Sequence, residues 1–421
     1  MRLSKKNFYP TCIIFVIFIW GTGFRDLIPS ILINIFSLIL YSVCLFYAFI
    51  NWTKRFRRID LLISLLTIVF PIIASIQALQ VFGQPFWMGL ISLRSLWIIL
   101  LVYYLKDRLN PQRILDKLSE LTLYTIILNF ILLYCFNIDN TKLAGLIGTA
   151  DNDLVNIGNV AVNELKGAKL SFGCEFWFIS MSWWSANYFL FKRNIFLKKM
   201  IVMLIFSLFV SKGRIQIITL IIIWILPFLS NINKRNFIKL LRYAIIGIIS
   251  LIALPQVRQR FLVVGDLLGL SDSSSTGDFS GVARLKEILL VLPYIKENWL
   301  LGSGNISYHY NGGFIGCLGD YLFIADIGIV GMLFVGGVFL CWVYFKLFFE
   351  CKNNNRYSDK IGLFVKVCSY IFIIIPFFGL VPIMGGNMQI MTLLLVSNFS
   401  KKINNVSNQL VPTNGRKYNY S

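Results

Sequence analysis

Apolar and polar positions in this chain alternate in long blocks, without the period-two rhythm of half-buried strands. Nearly unbroken windows of Ile, Leu, Phe and Val recur at 9–24, 27–52, 61–82, 86–105, 121–136 and 172–191. Six more follow at 195–210, 215–229, 240–254, 321–345, 361–380 and 388–399. An apolar helix of about 20 residues, rising about 1.5 Å per residue, spans the hydrocarbon core of a bilayer. The pattern therefore predicts an all-α polytopic integral membrane protein with about 12 transmembrane helices. Residues 1–421 are expected to form a single transmembrane domain. The short alternating segments that a transmembrane barrel needs are not visible.

Composition and charge sharpen this picture. The chain is 57% hydrophobic and 14% charged, with mean hydropathy +0.72. A soluble chain of 421 residues could not bury that much apolar surface. The net charge of +21 raises the question of nucleic acid. The basic residues, however, sit between apolar windows and form no stripe on a polar domain, so nucleic acid is not an expected partner. Membrane lipids are, through their anionic headgroups.

Lys and Arg cluster at residues 2–6, 54–58, 106–117, 192–199, 234–235 and 346–360, and again in the tail from Lys401. Every second connection is thus basic, which places those connections and both termini in the cytoplasm. Lys5 and Lys6 precede the first apolar window, but no small-residue cleavage site follows, so that span is expected to stay. The eight cysteines show no metal-type spacing. Cys174 and Cys317 fall on the same outer side, which makes only a weak case for a bridge.

The outer side receives two large loops, about 137–171 and 255–319, and short links holding Arg25-Asp26, Gln84-Pro85, Ser211 to Arg214 and Gly385 to Asn387. The second large loop is the longest polar excursion and contains the only histidine. Polar insertions are not needed to span a bilayer, so this one is expected to carry function. Within it, 281–295 has apolar positions at helical spacing, as in an amphipathic helix on the membrane plane. No internal repeat stands out, which disfavours transporters built from repeated halves.

Several residues could carry chemistry. Arg94 lies about eight residues, or roughly 12 Å, inside its window. An arginine near the bilayer centre costs about 2.5–3.5 kcal/mol, so it is normally paired or faces a wet cavity. Its guanidinium fork suits an anionic oxygen such as a phosphate; a structural ion pair or a snorkelling side chain is the alternative. Lys212 and Arg214 flank Gly213 at an outer helix end, against the usual charge rule. Arg258, Arg260 and Arg284 add three outer arginines that could hold a departing pyrophosphate, or stand as solvated loop charges. His309, between Tyr308 and Tyr310, is of the residue type that serves most often as a general base, or has a purely structural role. Asp320 and Asp326 are six positions apart on the expected re-entering helix, about 120° apart around it. Asp320 is the better base or acceptor ligand; Asp326 is placed to pair with an arginine, and Glu175 is a further candidate base. Gly302-Ser303-Gly304 lacks the strand-helix context of a nucleotide loop and reads as a turn. No cofactor or metal is expected.

In order and spacing these elements resemble the bacterial O-antigen polymerase and ligase superfamily. Ser211-Lys212-Gly213-Arg214 is similar to its Ser-Arg-Gly element. The segment from Gly281 to Lys286 is similar to its loop-arginine segment, and Asn298-Trp299-Leu300-Leu301-Gly302-Ser303-Gly304 to an Asn-Pro-Leu-Leu-Gly-x-Gly element. Asp320-Tyr321-Leu322 through Gly331 resembles the helix that follows. The motifs cover roughly 211–331, and the rest matches only in topology. Ligases of the superfamily carry a histidine before the tyrosine of the last element, where this chain has Gly319-Asp320. That departure favours polymerase over ligase. Lys212 also stands where the family has arginine.

The resemblance implies a polymerase of polysaccharide repeat units in the bacterial inner membrane, with both large loops periplasmic. It implies a donor glycan on undecaprenyl pyrophosphate, a lipid-linked acceptor and a chain-length-regulating partner. Asp320, His309 and Arg284 would be catalytic, and Arg94, Lys212, Arg214, Arg258 and Arg260 would bind pyrophosphate. A ligase within the superfamily and a flippase or transporter outside it are the alternative functions.

Overall fold

The computed structural model describes residues 5–140, 142–143, 169–211, 214–229, 279–320, 322–353, 360–379 and 381–397. All regular structure among them is helical. In chain order the helices are α1 (Lys5–Trp20), α2 (Ser30–Lys54), α3 (Arg58–Phe82), α4 (Phe86–Ser92), α5 (Arg94–Leu105) and α6 (Pro111–Tyr134). Then come α7 (Trp177–Phe191), α8 (Asn194–Ser211), α9 (Arg214–Leu229), α10 (Phe279–Glu297), the short α11 (Phe314–Leu318), α12 (Gly328–Asn353), α13 (Lys360–Ile374) and α14 (Asn387–Ser397).

Each apolar window coincides with a helix except 240–254, which lies outside the described residues. Among the described residues, six helices are long and apolar enough to cross a membrane, or seven if α4 and α5, bent by 49° at Leu93, count as one broken span. Of the other expected spans, windows such as 9–24 and 388–399 form apolar helices of under 18 residues, and 240–254 lies outside the described residues.

The core is built from α7, α12 and α13. Trp183 and Trp184 of α7 are fully buried, and Phe372 of α13 stacks on Phe348 of α12 with ring centroids 4.6 Å apart. Only 17% of the α2 span is buried, against 67% of the span that begins with α13. α2 thus offers Ile31, Ile35, Leu38, Phe46 and Phe49 outward, as a lipid-facing helix must.

Polar contacts sort the connections into two groups. On one, Tyr9 bonds Tyr104, Arg113 bonds Thr11, Lys106 bonds Asn51, and Arg58 meets Glu350 at 3.2 Å. Here Asp60, 1% exposed, is saturated by the backbone N–H and guanidinium of Arg57 and by the Tyr103 hydroxyl at 2.8 Å. These are the basic connections. On the other, Gly23 bonds Glu175, Phe172 bonds Asn129, Leu170 bonds Val210, and Gln84 bonds Asn305 and Ser307. These are the connections read as outer from charge alone.

One feature of the interior shapes the outer group. α12 is broken at Gly337 (φ 60°, ψ −160°), a conformation essentially reserved for glycine. Continuing the helix would have let the Val338 and Phe339 amides donate to the Phe334 and Val335 carbonyls. Instead both amides donate to the Trp299 and Leu300 carbonyls, each at 3.0 Å. The Phe334 and Val335 carbonyls accept from Ser303 and Gly304 N–H at 2.7 and 3.1 Å. Two helical bonds are exchanged for four bonds to the segment following α10. Non-helical backbone survives at membrane depth only when re-satisfied in this way. The fit depends on close approach: a Cβ on Gly302 would lie 2.5 Å from the Gly336 nitrogen and 2.6 Å from that of Gly337.

The consequence is testable in detergent-solubilised protein. Gly302→Ala should lower stability by more than about 4 kcal/mol, combining a left-handed φ with a backbone clash. Gly312→Ala shares the positive φ (+73°) but meets open space, so it should cost only about 1–2 kcal/mol. Thermal melts of the two variants check the difference.

Candidate functional site

α10 ends where the exchange with α12 begins, so its placement follows from that contact. Asn298 continues its last turn by donating to the Tyr294 carbonyl at 2.9 Å, and Gly302 N–H caps the Asn298 carbonyl at 2.7 Å. Tyr294 packs edge-on to Phe334, with centroids 5.9 Å apart. The helix turns Glu287 and Val291 inward and leaves Leu285, Leu289 and Leu292 exposed. The expected amphipathic helix is therefore present, with leucines at i, i+4 and i+7 outward and a carboxylate on the covered face.

Arg284 is half-buried, one turn before Glu287 on the same side of α10. Glu287 is 5% exposed. Its Oε1 accepts the Phe323 N–H at 3.4 Å, and its buried Oε2 has no partner among the described residues. Burial pushes its carboxyl up to about 7; the negative charges of Asp326 and Asp320 add to the rise and Arg284 opposes it. The positive charges of Arg284 and Lys169 also act on Asp326. Arg284, Glu287, Asp320, Asp326 and Lys169 thus form one electrostatic cluster.

The acids do not share a helix as expected. Asp320 is exposed in the bend after α11, and Asp326 lies in a 3-10 turn, Ile324–Ile327. α12 begins only at Gly328, where a Cβ would strike the backbone of Gly379 at 2.9 Å, so the 120° relation does not apply. His309 is exposed, its ring edge-on to Tyr308 at 6.1 Å, on a turn tied down by the Tyr310 hydroxyl bond to the Phe82 carbonyl at 2.9 Å. The charges acting on Glu287 do not include His309. Arg214 opens α9. Its side chain, Lys212, Arg258 and Arg260 lie outside the described residues.

A second constellation surrounds a cavity of about 380 Å³ between the α1–α2 turn, the start of α5, the turn before α7 and the start of α14. Trp20, Tyr41, Ser95, Glu175 and Asn387 line it, with the Arg25–Asp26 pair (3.5 Å) half-exposed. Glu175 Oε1 accepts the Gly23 N–H at 2.9 Å while its buried Oε2 has no partner among the described residues. Asn387 Nδ2 donates to Ser95 Oγ at 3.2 Å while Oδ1 is likewise buried and unpartnered. Arg94 stands beside Ser95 where α5 begins; it is exposed, and its Nη2 donates to Asn34 Oδ1 at 3.2 Å. Asn34 is one turn inside α2, so Arg94, just after the break at Leu93, lies level with the first turns of that helix. The charges of Arg94 and Arg25 both reach Tyr41 in the cavity wall.

The cysteines are free thiols, Cys174 and Cys317 included, with Cys174 bonded to Thr125 at 3.6 Å. Among the described residues no group of three His, Cys, Asp or Glu side chains could hold a metal. Sequence reasoning overlooked Glu287 and Asn387. Glu287 carried a signal, its place three residues after Arg284 inside the 281–295 helical window; Asn387 carried none. No protein-family model matches the chain, and neither a curated protein nor a solved structure is similar to it.

The raised carboxyl of Glu287 has a stability signature. Between the ordinary value of 4.5 and about 7 the folded protein keeps a proton that the unfolded chain releases. Stability from this group therefore falls as pH rises through that window and is flat above it. The melting temperature of the wild type should drop between pH 5 and 7.5, and Glu287→Gln should reduce that drop. An identical slope in the variant would remove the buried-carboxyl assignment.

Proposed function

We propose that this chain is a polymerase of polysaccharide repeat units in the bacterial inner membrane, with both termini cytoplasmic and the α10 face periplasmic. The observation that carries this assignment is Arg284 beside Glu287, a buried carboxylate with one oxygen that no group among the described residues satisfies. The order of motifs around them adds the superfamily resemblance. The donor is a glycan on undecaprenyl pyrophosphate, and the acceptor is a single lipid-linked repeat unit.

In the reaction, an acceptor hydroxyl oxygen bonds to the anomeric carbon of the donor while the bond from that carbon to the pyrophosphate oxygen breaks. The hydroxyl proton passes to Glu287, whose raised carboxyl suits a base working near neutral pH. Asp320, at the exposed edge of the cluster, orients the acceptor. The electron pair leaves with the pyrophosphate, whose charge Arg284 stabilises as it develops. Arg94 and Arg214 are further contacts for the diphosphate. No metal or nucleotide takes part.

The second reading, a proton-coupled transporter, takes support from the two buried carboxylates with unpartnered oxygens, Glu175 and Glu287. A gel of surface polysaccharide separates the readings. Deleting the gene should remove the long ladder and leave single repeat units. Arg284→Ala and Glu287→Gln, expressed at normal levels, should each shorten the chains, with a rate loss of about 10²–10⁴ for the base. Normal chain length in both variants would contradict the mechanism. Loss of all capped species would mean a ligase, and an unchanged ladder on deletion would favour the transporter.

A further inference from the structure

The basic connections differ in what their cations meet. Arg57, Arg58, Lys117 and Lys346 each pair with a carboxylate, on Asp60, Glu350, Glu120 and again Glu350. At the corner where α7 ends and α8 and α13 begin, Arg193, Lys198, Lys199 and Lys360 form no ion pair among the described residues. Aromatic rings seat three of them instead. Lys360 Nζ stands 5.7 Å from the Trp183 ring centroid and 5.9 Å from that of Phe191. The Arg193 guanidinium carbon lies 5.9 Å from the same Phe191 centroid, and Lys199 Nζ 5.9 Å from that of Trp184. A ring face attracts a cation without taking up its N–H bonds, so the donors of Arg193 and Lys360 stay open to an anion.

Two acids belong to the same corner. Asp116 Oδ1 accepts the Trp183 indole N–H at 2.9 Å, and Asp359, just before Lys360, lies outside the described residues. With both counted, Lys192, Arg193, Lys198, Lys199 and Lys360 still leave an excess of positive charge. Helix stability does not account for it: Arg193 is the N-cap of α8, whose first turn holds no acid. Cations there oppose the helix dipole. A topology signal needs the charges on this side but not rings to seat them. Two candidate membrane spans, α8 and the one opened by α13, both start here, which sets the corner at headgroup depth. Beyond it α8 exposes Ile195, Ile201, Ile205 and Leu208 on one face with the exposed Lys198. Open cations above an apolar track fit an anion that carries hydrocarbon chains, and basic pockets between membrane helices take such headgroups.

We infer that this corner seats an anionic phospholipid of the adjoining leaflet, with its phosphate between Arg193 and Lys360 and its acyl chains along α8. The site does not depend on the polymerase assignment.

The test is native mass spectrometry of the full chain in detergent, titrated with dioleoyl phosphatidylglycerol or with dioleoyl phosphatidylcholine. The two probes share their chains and differ in headgroup charge. The wild type should bind the first phosphatidylglycerol more tightly than phosphatidylcholine. Arg193→Gln and Lys360→Gln should each raise that Kd about fivefold and leave phosphatidylcholine unaffected. Lys117→Gln, which removes a cation already paired with Glu120, should leave phosphatidylglycerol binding unchanged. Phe191→Leu keeps every charge but removes the shared ring, and should also weaken binding. Arg193 and Phe191 are both exposed, so their variants serve if Lys360→Gln fails to fold. No preference for phosphatidylglycerol in the wild type overturns the site, as does an unaltered preference in Arg193→Gln and Phe191→Leu. An equal loss in Lys117→Gln would reduce the effect to bulk charge and overturn it too. Displacement of the lipid by millimolar glycerol phosphate would overturn the lipid in favour of a soluble anion.

Discussion

A helix broken inside an apolar protein must find new partners for the backbone groups it frees, each of which costs several kcal/mol if unmet in hydrocarbon. At Gly337 those partners come from the segment Trp299 to Gly304, whose amides and carbonyls take over two lost helical bonds. The contact is backbone to backbone, so glycine is required on both sides. The same contact holds the end of α10 and thereby the angle at which Arg284 and Glu287 face Phe323 and Asp326. Gln84 makes a second tie: its amide donates to the Asn305 carbonyl at 3.1 Å and accepts the Ser307 N–H at 2.6 Å. The polar excursion after α10 is thus positioned by the interior.

The two polar faces use carboxylates differently. Asp60, among the basic connections, has both oxygens bonded by Arg57 and Tyr103 and works as a structural knot. Glu175 and Glu287, on the opposite group of connections, each spend one oxygen on a backbone amide and keep the other buried, with no partner among the described residues. A saturated carboxylate stabilises a fold; a half-saturated one beside an arginine or a cavity is available for a ligand or a proton. That contrast is what distinguishes the two candidate constellations from the knot at Asp60.

Much of the helical architecture was legible in the sequence, because hydrophobic blocks report directly on helices long enough to span a bilayer. The contacts between Gly23 and Glu175, and between Gln84 and Ser307, join connections assigned to one side from charge. Helix ends were less legible. The window 86–105 gives no hint of the bend at Leu93, and Asp320 and Asp326 read as helical because nothing local marks Gly328 as the true start. Periodicity placed a helix over 281–295 but not its orientation, which the exchange at Gly337 decides. The cavity was illegible for another reason: Trp20, Ser95, Glu175 and Asn387 come from four distant elements, and only the packed structure brings them together. Glu175 alone had been singled out, as an isolated acid at a helix end.

Native-state hydrogen exchange at single-amide resolution tests the exchanged bonds at Gly337 most directly. The account predicts that Ser303, Gly304, Val338 and Phe339 exchange as slowly as the buried amides of α7, opening only with the core. Exchange of Ser303 and Gly304 as fast as that of the exposed Asn311 and Gly312 would contradict it, and with it the placement of Arg284 and Glu287.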